Sequence, residues 1–132
     1  MHRRSFLAAA VALGLAPVSV AAGEFVDYAP GVIKAALDDG KTVFVDYSAK
    51  WCSTCARQAR VIEALRSADP TYDAAMEFVK VDWDTYQNHD VTTSRGIPRR
   101  STLIVLRGDD ELGRIIAGTS ENDIKALMSK GL

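Results

Sequence analysis

Phe44-Val45-Asp46-Tyr47-Ser48-Ala49-Lys50-Trp51-Cys52-Ser53-Thr54-Cys55 is the stretch on which the fold turns. Thr42 to Tyr47 is β-branched and aromatic, the composition of a buried strand. Trp51 to Ser53 turns the corner, and a helix is expected to run to about Ala68. Val61, Ile62 and Leu65 make its apolar stripe, and Asp69-Pro70 breaks it. The chain's two cysteines therefore share one Cys-x-x-Cys at a strand-to-helix junction. On the first turn of a helix, that spacing brings two sulfurs within bridging distance. Cys52 falls near the helix N-terminus, where free N–H groups and the dipole favour an anion. A thiolate there has a lowered pKa and is the attacking nucleophile. Cys55 lies a turn deeper, placed to resolve a mixed disulfide by intramolecular attack.

The flanks extend the same pattern. Upstream, Glu24 to Ala29 leads in, and Pro30 suits a first helical position. Val32, Ile33, Ala36 and Leu37 share one helical face, and Gly40 closes the helix. Downstream, Tyr72 to Met76 reads as one further helical turn and Phe78 to Trp83 as a second strand. Asp84 to Gly96 is polar and partly helical, and Pro98 sits in a loop. Thr102 to Leu106 is a third strand. Gly108-Asp109-Asp110 is a hairpin turn leading to a fourth, Leu112 to Ala117. Ser120 caps a last helix with Ile124, Leu127 and Met128 inward. The order α-β-α-β-α-β-β-α predicts an α/β fold: a central mixed sheet of about four strands with helices on both faces.

Composition narrows the function. The chain has 132 residues, 48% hydrophobic and 25% charged, in the range of a single globular domain. Its 16 Lys+Arg balance 17 Asp+Glu for a net charge of −1, so nucleic-acid binding has no electrostatic support. Residues 1–22 have the layout of a secretory signal peptide that is removed. Arg3 and Arg4 form the positive start, Phe6 to Val18 is uncharged and mostly apolar, and small residues end at Ala21 or Ala22. His2-Arg3-Arg4-Ser5-Phe6-Leu7 is similar to a twin-arginine export signal; an ordinary secretory start that holds two arginines fits the same residues. Either route places the mature domain, residues 23–132, in the periplasm. Without Arg3 and Arg4 it carries 14 positive against 17 negative charges, or −3.

The stretch Phe44 to Cys55 resembles the active-site signature of the thioredoxin superfamily. Gly96-Ile97-Pro98 is similar to that family's cis-proline loop, and Thr102 to Leu106 to the strand after it. The resemblance spans the whole of 23–132. It implies a thioredoxin fold and an exported thiol–disulfide oxidoreductase, in the direction of protein-disulfide reduction. It implies no cofactor beyond the redox-active Cys52–Cys55 disulfide, and no metal. The expected partners are client proteins with disulfides or thiols and a membrane electron-relay protein as reductant, the chain itself being a monomer. By the same resemblance Asp46 is a general acid/base for Cys55, and Trp51 shields the active face and touches partners. Pro98, in the cis form, places a turn against Cys52, and Ile97 before it offers main-chain hydrogen bonds to a client peptide.

The sequence departs from the family pattern in three places. Ser53-Thr54 replaces Gly-Pro, Ala56 stands where a lysine often follows, and Arg99-Arg100-Ser101 reads as inserted between Pro98 and the strand. The two arginines would stabilise a thiolate, attract an acidic partner, or lie in solvent. Other functions remain open on the residues alone. A disulfide oxidase or isomerase would run the exchange the other way. A thioredoxin-like binding module would keep its disulfide permanently, although so small a loop gives little entropic benefit. Half a zinc site would need His89 and a carboxylate as the missing ligands, whereas His89 reads as a surface loop residue. Haem attachment needs a His where Ala56 stands.

Overall fold

A computed structural model describes Gly14 and residues 23–132; the expected signal peptide, 1–22, otherwise lies outside the described residues. The central strand is β2, Thr42–Ser48, and its sequence explains its place. Val43, Phe44, Val45 and Tyr47 are all fully buried, so both faces of the strand are covered. Burial of each such side chain is worth roughly 1.5–3 kcal/mol. A strand apolar on both faces fits only in the middle of a sheet carrying helices on each side.

The strands are β1 (Val26–Asp27), β2, β3 (Met76–Asp82), β4 (Thr102–Arg107) and β5 (Asp110–Ile116), ordered β1-β3-β2-β4-β5. β3 pairs in parallel with β2, setting Asp46 beside Lys80. On the other side β4 is antiparallel to β2, setting Asp46 opposite Leu103. The β4–β5 hairpin turns at Gly108, whose φ of 57° suits a residue without Cβ. The sheet has five strands rather than about four. The additional one, β1, is two exposed residues long, too short to show any alternation in sequence.

The helices are α1 (Val32–Asp38), α2 (Ser53–Ala68), α3 (Thr71–Ala75), α4 (Trp83–Tyr86), α5 (Asp90–Thr93) and α6 (Glu121–Ser129). Two apolar clusters divide along the parity of β2. Val43, Val45 and Tyr47 face Ile33 and Ala36 of α1 with Val91 of α5. Phe44 faces Ile62 and Leu65 of α2 with Ile124, Leu127 and Met128 of α6. Ser120 caps α6 by accepting the Asp123 N–H at 3.4 Å. Trp83, expected at the end of a strand, instead opens α4. Asp82 caps that helix, accepting the Thr85 N–H at 3.2 Å and its hydroxyl at 2.6 Å.

Candidate active site

The site is built where β2 passes into α2. The chain turns over Ala49, Lys50 and Trp51, and the Cys52 N–H donates to Ala49 O at 3.1 Å. Cys52 is the N-cap of α2, with extended backbone (φ −89°, ψ 112°) and a sulfur that accepts the Cys55 N–H at 3.1 Å. A sulfur thus does the work usually given to a serine or aspartate oxygen, meeting a donor that the helix leaves free. Cys52 and Cys55 form a disulfide with Cα atoms 5.2 Å apart. The pair lies just under the surface, 4% and 2% exposed, packed with Ala49 and Trp83.

Trp51 directly precedes Cys52 and stands at the surface. It is 61% exposed, so it belongs to the surface and not to the core. Its indole N–H donates to the Asp84 carboxylate at 3.0–3.1 Å, and the Arg100 guanidinium lies 4.4 Å from its ring centre. That stack is a cation–π contact and, with the Asp84 bonds, fixes the ring's attitude. Arg100 is therefore not a freely solvated side chain: it is partly buried, and its Nε finds no partner among the described residues.

Asp46 lies on the face of β2 that α2 covers, in line with Phe44. It is fully buried, and neither carboxyl oxygen has a hydrogen-bond partner among the described residues. Burial pushes its pKa up from 3.8 to about 7, against a smaller opposing pull from the Lys80 charge. An acid in this setting exchanges a proton near neutral pH.

The loop ahead of β4 corrects the expectation for Pro98 and Ile97. No peptide bond among the described residues is cis, so the Ile97–Pro98 bond is trans. Pro98 is exposed. Ile97 is buried in the α1-side core, and its N–H is taken by Thr92 O at 3.1 Å. The residue that lies against the cysteines is Ser101, directly before β4. Its hydroxyl is 3.2 Å from Cys52 Sγ and 3.1 Å from Cys55 Sγ. Arg99-Arg100-Ser101 is thus not a surface insertion but the part of the loop that reaches the site. Ser101 is fully buried with φ 63°, a left-handed conformation that a side chain rarely takes. Its backbone is held by Tyr47 O, which accepts its N–H at 2.7 Å, and by the Ala117 N–H, which donates to its carbonyl at 2.9 Å. Gln58, fully buried on α2, donates from Nε2 to Ser101 O at 3.0 Å and to Gly118 O at 2.9 Å.

The thioredoxin family model matches residues 30–130. The chain belongs to the thioredoxin family. Among curated relatives, a thioredoxin from Chlorobaculum thiosulfatiphilum is 30% identical over 67% of this chain and 77% of its own. Thioredoxin H5 of Oryza sativa subsp. japonica is 26% identical over 79% and 82%. Among solved structures, Trxlp from Edwardsiella tarda superposes with a TM-score of 0.66 at 30% identity, covering 76% of this chain and 96% of that one. The thioredoxin of Malassezia sympodialis, at 21% identity, shares the fold with a TM-score of 0.71 over 85% and 94%. The protein is accordingly a thioredoxin-family thiol–disulfide oxidoreductase with a Cys-x-x-Cys pair at residues 52 and 55.

Of the residues singled out in sequence, Trp51, Cys52 and Cys55 stand at the β2–α2 junction, Asp46 is buried on β2, Ile97 is packed in the α1-side core and Pro98 is exposed. His89 is exposed and caps α5, its Nδ1 accepting the Val91 N–H at 3.3 Å. Ser101, Gln58 and Asp84 were not anticipated. Gln58 did leave a signal: it follows Cys55 by three residues on the α2 face that goes on to Ile62 and Leu65, a polar side chain in an apolar stripe. Ser101 left a weaker one, as the last residue before a buried strand.

Proposed function

We propose that this protein is an exported, periplasmic reductant of protein disulfides in which Cys52 attacks and Cys55 resolves. The observation that carries the reading is Cys52 Sγ, placed as the N-cap of the long helix α2 and already accepting the Cys55 N–H. A reduced Cys52 in that position is held as a thiolate. It attacks a client disulfide, forming a Cys52–client bond and releasing one client thiolate, which takes up a proton. Cys55 gives its proton to the Asp46 carboxylate and attacks Cys52 Sγ. The second client thiol leaves, and the Cys52–Cys55 disulfide remains. Two electrons have passed to the client. Trp51, exposed beside the disulfide, gives the client an apolar contact.

Three further points support the direction and the setting. No histidine lies between the cysteines. The chain runs from α2 through α3 to β3 with no helical domain inserted, unlike oxidising disulfide-forming proteins. The Arg3-Arg4 start and apolar stretch at the N-terminus favour export; outside the cytoplasm the monomer would need a membrane electron-relay protein to return it to the dithiol form. The opposite direction, oxidation or isomerisation, is favoured by one observation, the Ser101 hydroxyl on both sulfurs, since a donor there stabilises the reduced pair.

Equilibration of the Cys52–Cys55 pair in defined thiol buffers decides between them. A reductant gives a potential near that of thioredoxin, roughly −270 mV. A value near roughly −120 mV would make the protein an oxidant. Failure to cycle at all would leave a binding module with a permanent disulfide.

A further inference from the structure

We propose that Ser101 is a catalytic residue of the exchange: its hydroxyl donates a hydrogen bond to the active-site sulfurs and stabilises the Cys52 thiolate, with Gln58 as the positioning residue that holds it there. The inference rests on dithiol–disulfide exchange at Cys52 and Cys55.

The Ser101 hydroxyl is fully buried, and its hydrogen-bond contacts among the described residues are the two sulfurs alone, at 3.2 and 3.1 Å. In the disulfide neither sulfur carries a proton, so the hydroxyl is the donor. When the disulfide accepts two electrons, negative charge develops on a sulfur that is only 4% exposed as part of Cys52. Water supplies little stabilisation there. The Cys55 N–H is one donor already aimed at that sulfur, and the Ser101 hydroxyl is the second. Hydrogen bonds to an anion are about twice as strong as neutral ones. Because the hydroxyl reaches both sulfurs, it can follow the charge as the thiolate passes from one to the other.

The backbone argues the same way. With φ at 63°, position 101 suits glycine, and what serine adds over glycine is the hydroxyl. The conformation is fixed by bonds from three elements: β2 through Tyr47 O, the end of β5 through the Ala117 N–H, and α2 through Gln58. Gln58 spends both its amide hydrogens on this task, tying Ser101 O to Gly118 O. Variants at position 101 leave in place the buried Asp46 on β2 and the Arg100 and Asp84 charges on Trp51.

The test uses Ser101→Ala and Ser101→Gly in the full mature chain. The first removes the hydroxyl alone, and the second also relieves the backbone. Cys52 ionisation is read in the reduced protein from the pH dependence of iodoacetamide alkylation. The equilibrium constant against glutathione is read at pH 8. Both variants should raise the Cys52 pKa, leaving about tenfold less thiolate at a pH below it. The equilibrium should move about tenfold toward the disulfide, a potential about 30 mV more negative. Gln58→Leu should shift both in the same direction by a smaller factor. If Ala and Gly fold and both readouts stay within about twofold of wild type, the proposal is overturned. It is overturned equally if Ala shifts them and Gly restores them, because the effect then belongs to the backbone. Should the wild-type pair fail to cycle, the exchange itself falls, while alkylation of reduced Cys52 still judges the hydrogen bond.

Discussion

The β2–α2 junction and the loop ahead of β4 meet at the same two sulfurs, yet they are held by different kinds of interaction. At the junction the contacts that place the two cysteines on the chain are local. Cys52 N–H bonds Ala49 O, Cys52 Sγ accepts the Cys55 N–H, and the Ala56 N–H returns to Cys52 O. Three to four residues separate each pair, and helix geometry alone dictates the arrangement. The loop is held from afar. Arg114 of β5 donates to Arg95 O and Gly96 O at 2.7 and 2.9 Å, Tyr47 O takes the Ser101 N–H, and Gln58 reaches in from α2. Its local bonds, from the Thr102 hydroxyl to Arg99 O at 2.8 Å, from Arg99 Nε to Arg100 O at 3.1 Å and from the Ile97 N–H to Thr92 O at 3.1 Å, do not involve Ser101. The junction carries the reacting sulfurs and the loop sets their surroundings, so changes in the first should act on whether exchange occurs and changes in the second on how favourable it is.

The largest effect expected is at the junction. Cys52→Ser should remove client reduction, by about 1,000-fold or more, because Cys55, a turn deeper in α2, lacks the N-cap position of Cys52. Cys55→Ser should keep the first step and accumulate a mixed disulfide with clients, visible as a mass increase that a reductant reverses. Persistence of turnover in Cys52→Ser, or attack through Cys55 in its place, would reverse the roles of the two residues.

Next in size is Asp46, buried on β2. Folding raises its pKa from 3.8 to about 7, so the native state keeps a proton that the unfolded chain gives up across that window. Stability attributable to this group is intact below pH 3.8 and declines as pH rises toward 7. Asp46→Asn should therefore melt higher than wild type at pH 8, by an order of about 2–4 kcal/mol, and match it near pH 4. The same variant should slow the resolving step roughly ten- to a hundredfold and flatten its pH dependence near 7. Equal stability of the two proteins at both pH values would mean that Asp46 is not a buried, uncompensated acid.

Legibility in the sequence follows the same divide between local and distant contacts. The β2 run, the Cys-x-x-Cys at the helix start, the Ser120 cap and the inward Ile124, Leu127 and Met128 each depend on neighbours within a turn or on period, and each is where the pattern put it. Asp46 is an acid that interrupts an apolar run, and it is fully buried. Strand β1 escaped because two residues carry no period. The loop is less legible for a physical reason: a proline advertises a turn by its own covalent structure, whereas Ser101 is placed by one carbonyl on β2 and a side chain on α2 that no local spacing reveals. Asp84 likewise meets Trp51 across a gap of 33 residues.

The smallest expected effect is the sharpest test of that contrast, because it falls on the residue most conspicuous in sequence. Pro98 is exposed and its bond is trans. Its ring limits the unfolded chain, so Pro98→Ala should cost about 0.4–1 kcal/mol of stability. Client reduction and the glutathione equilibrium should remain within about twofold of wild type. Ile97 would stay anchored by Thr92 O and by its place in the core, and Ser101 by Tyr47, Ala117 and Gln58. If Pro98→Ala instead shifted the equilibrium as strongly as Ser101→Ala, position 98 would be steering the loop onto the sulfurs. The long-range bonds would then be insufficient to place Ser101, and the division between a locally built junction and a remotely held loop would fail.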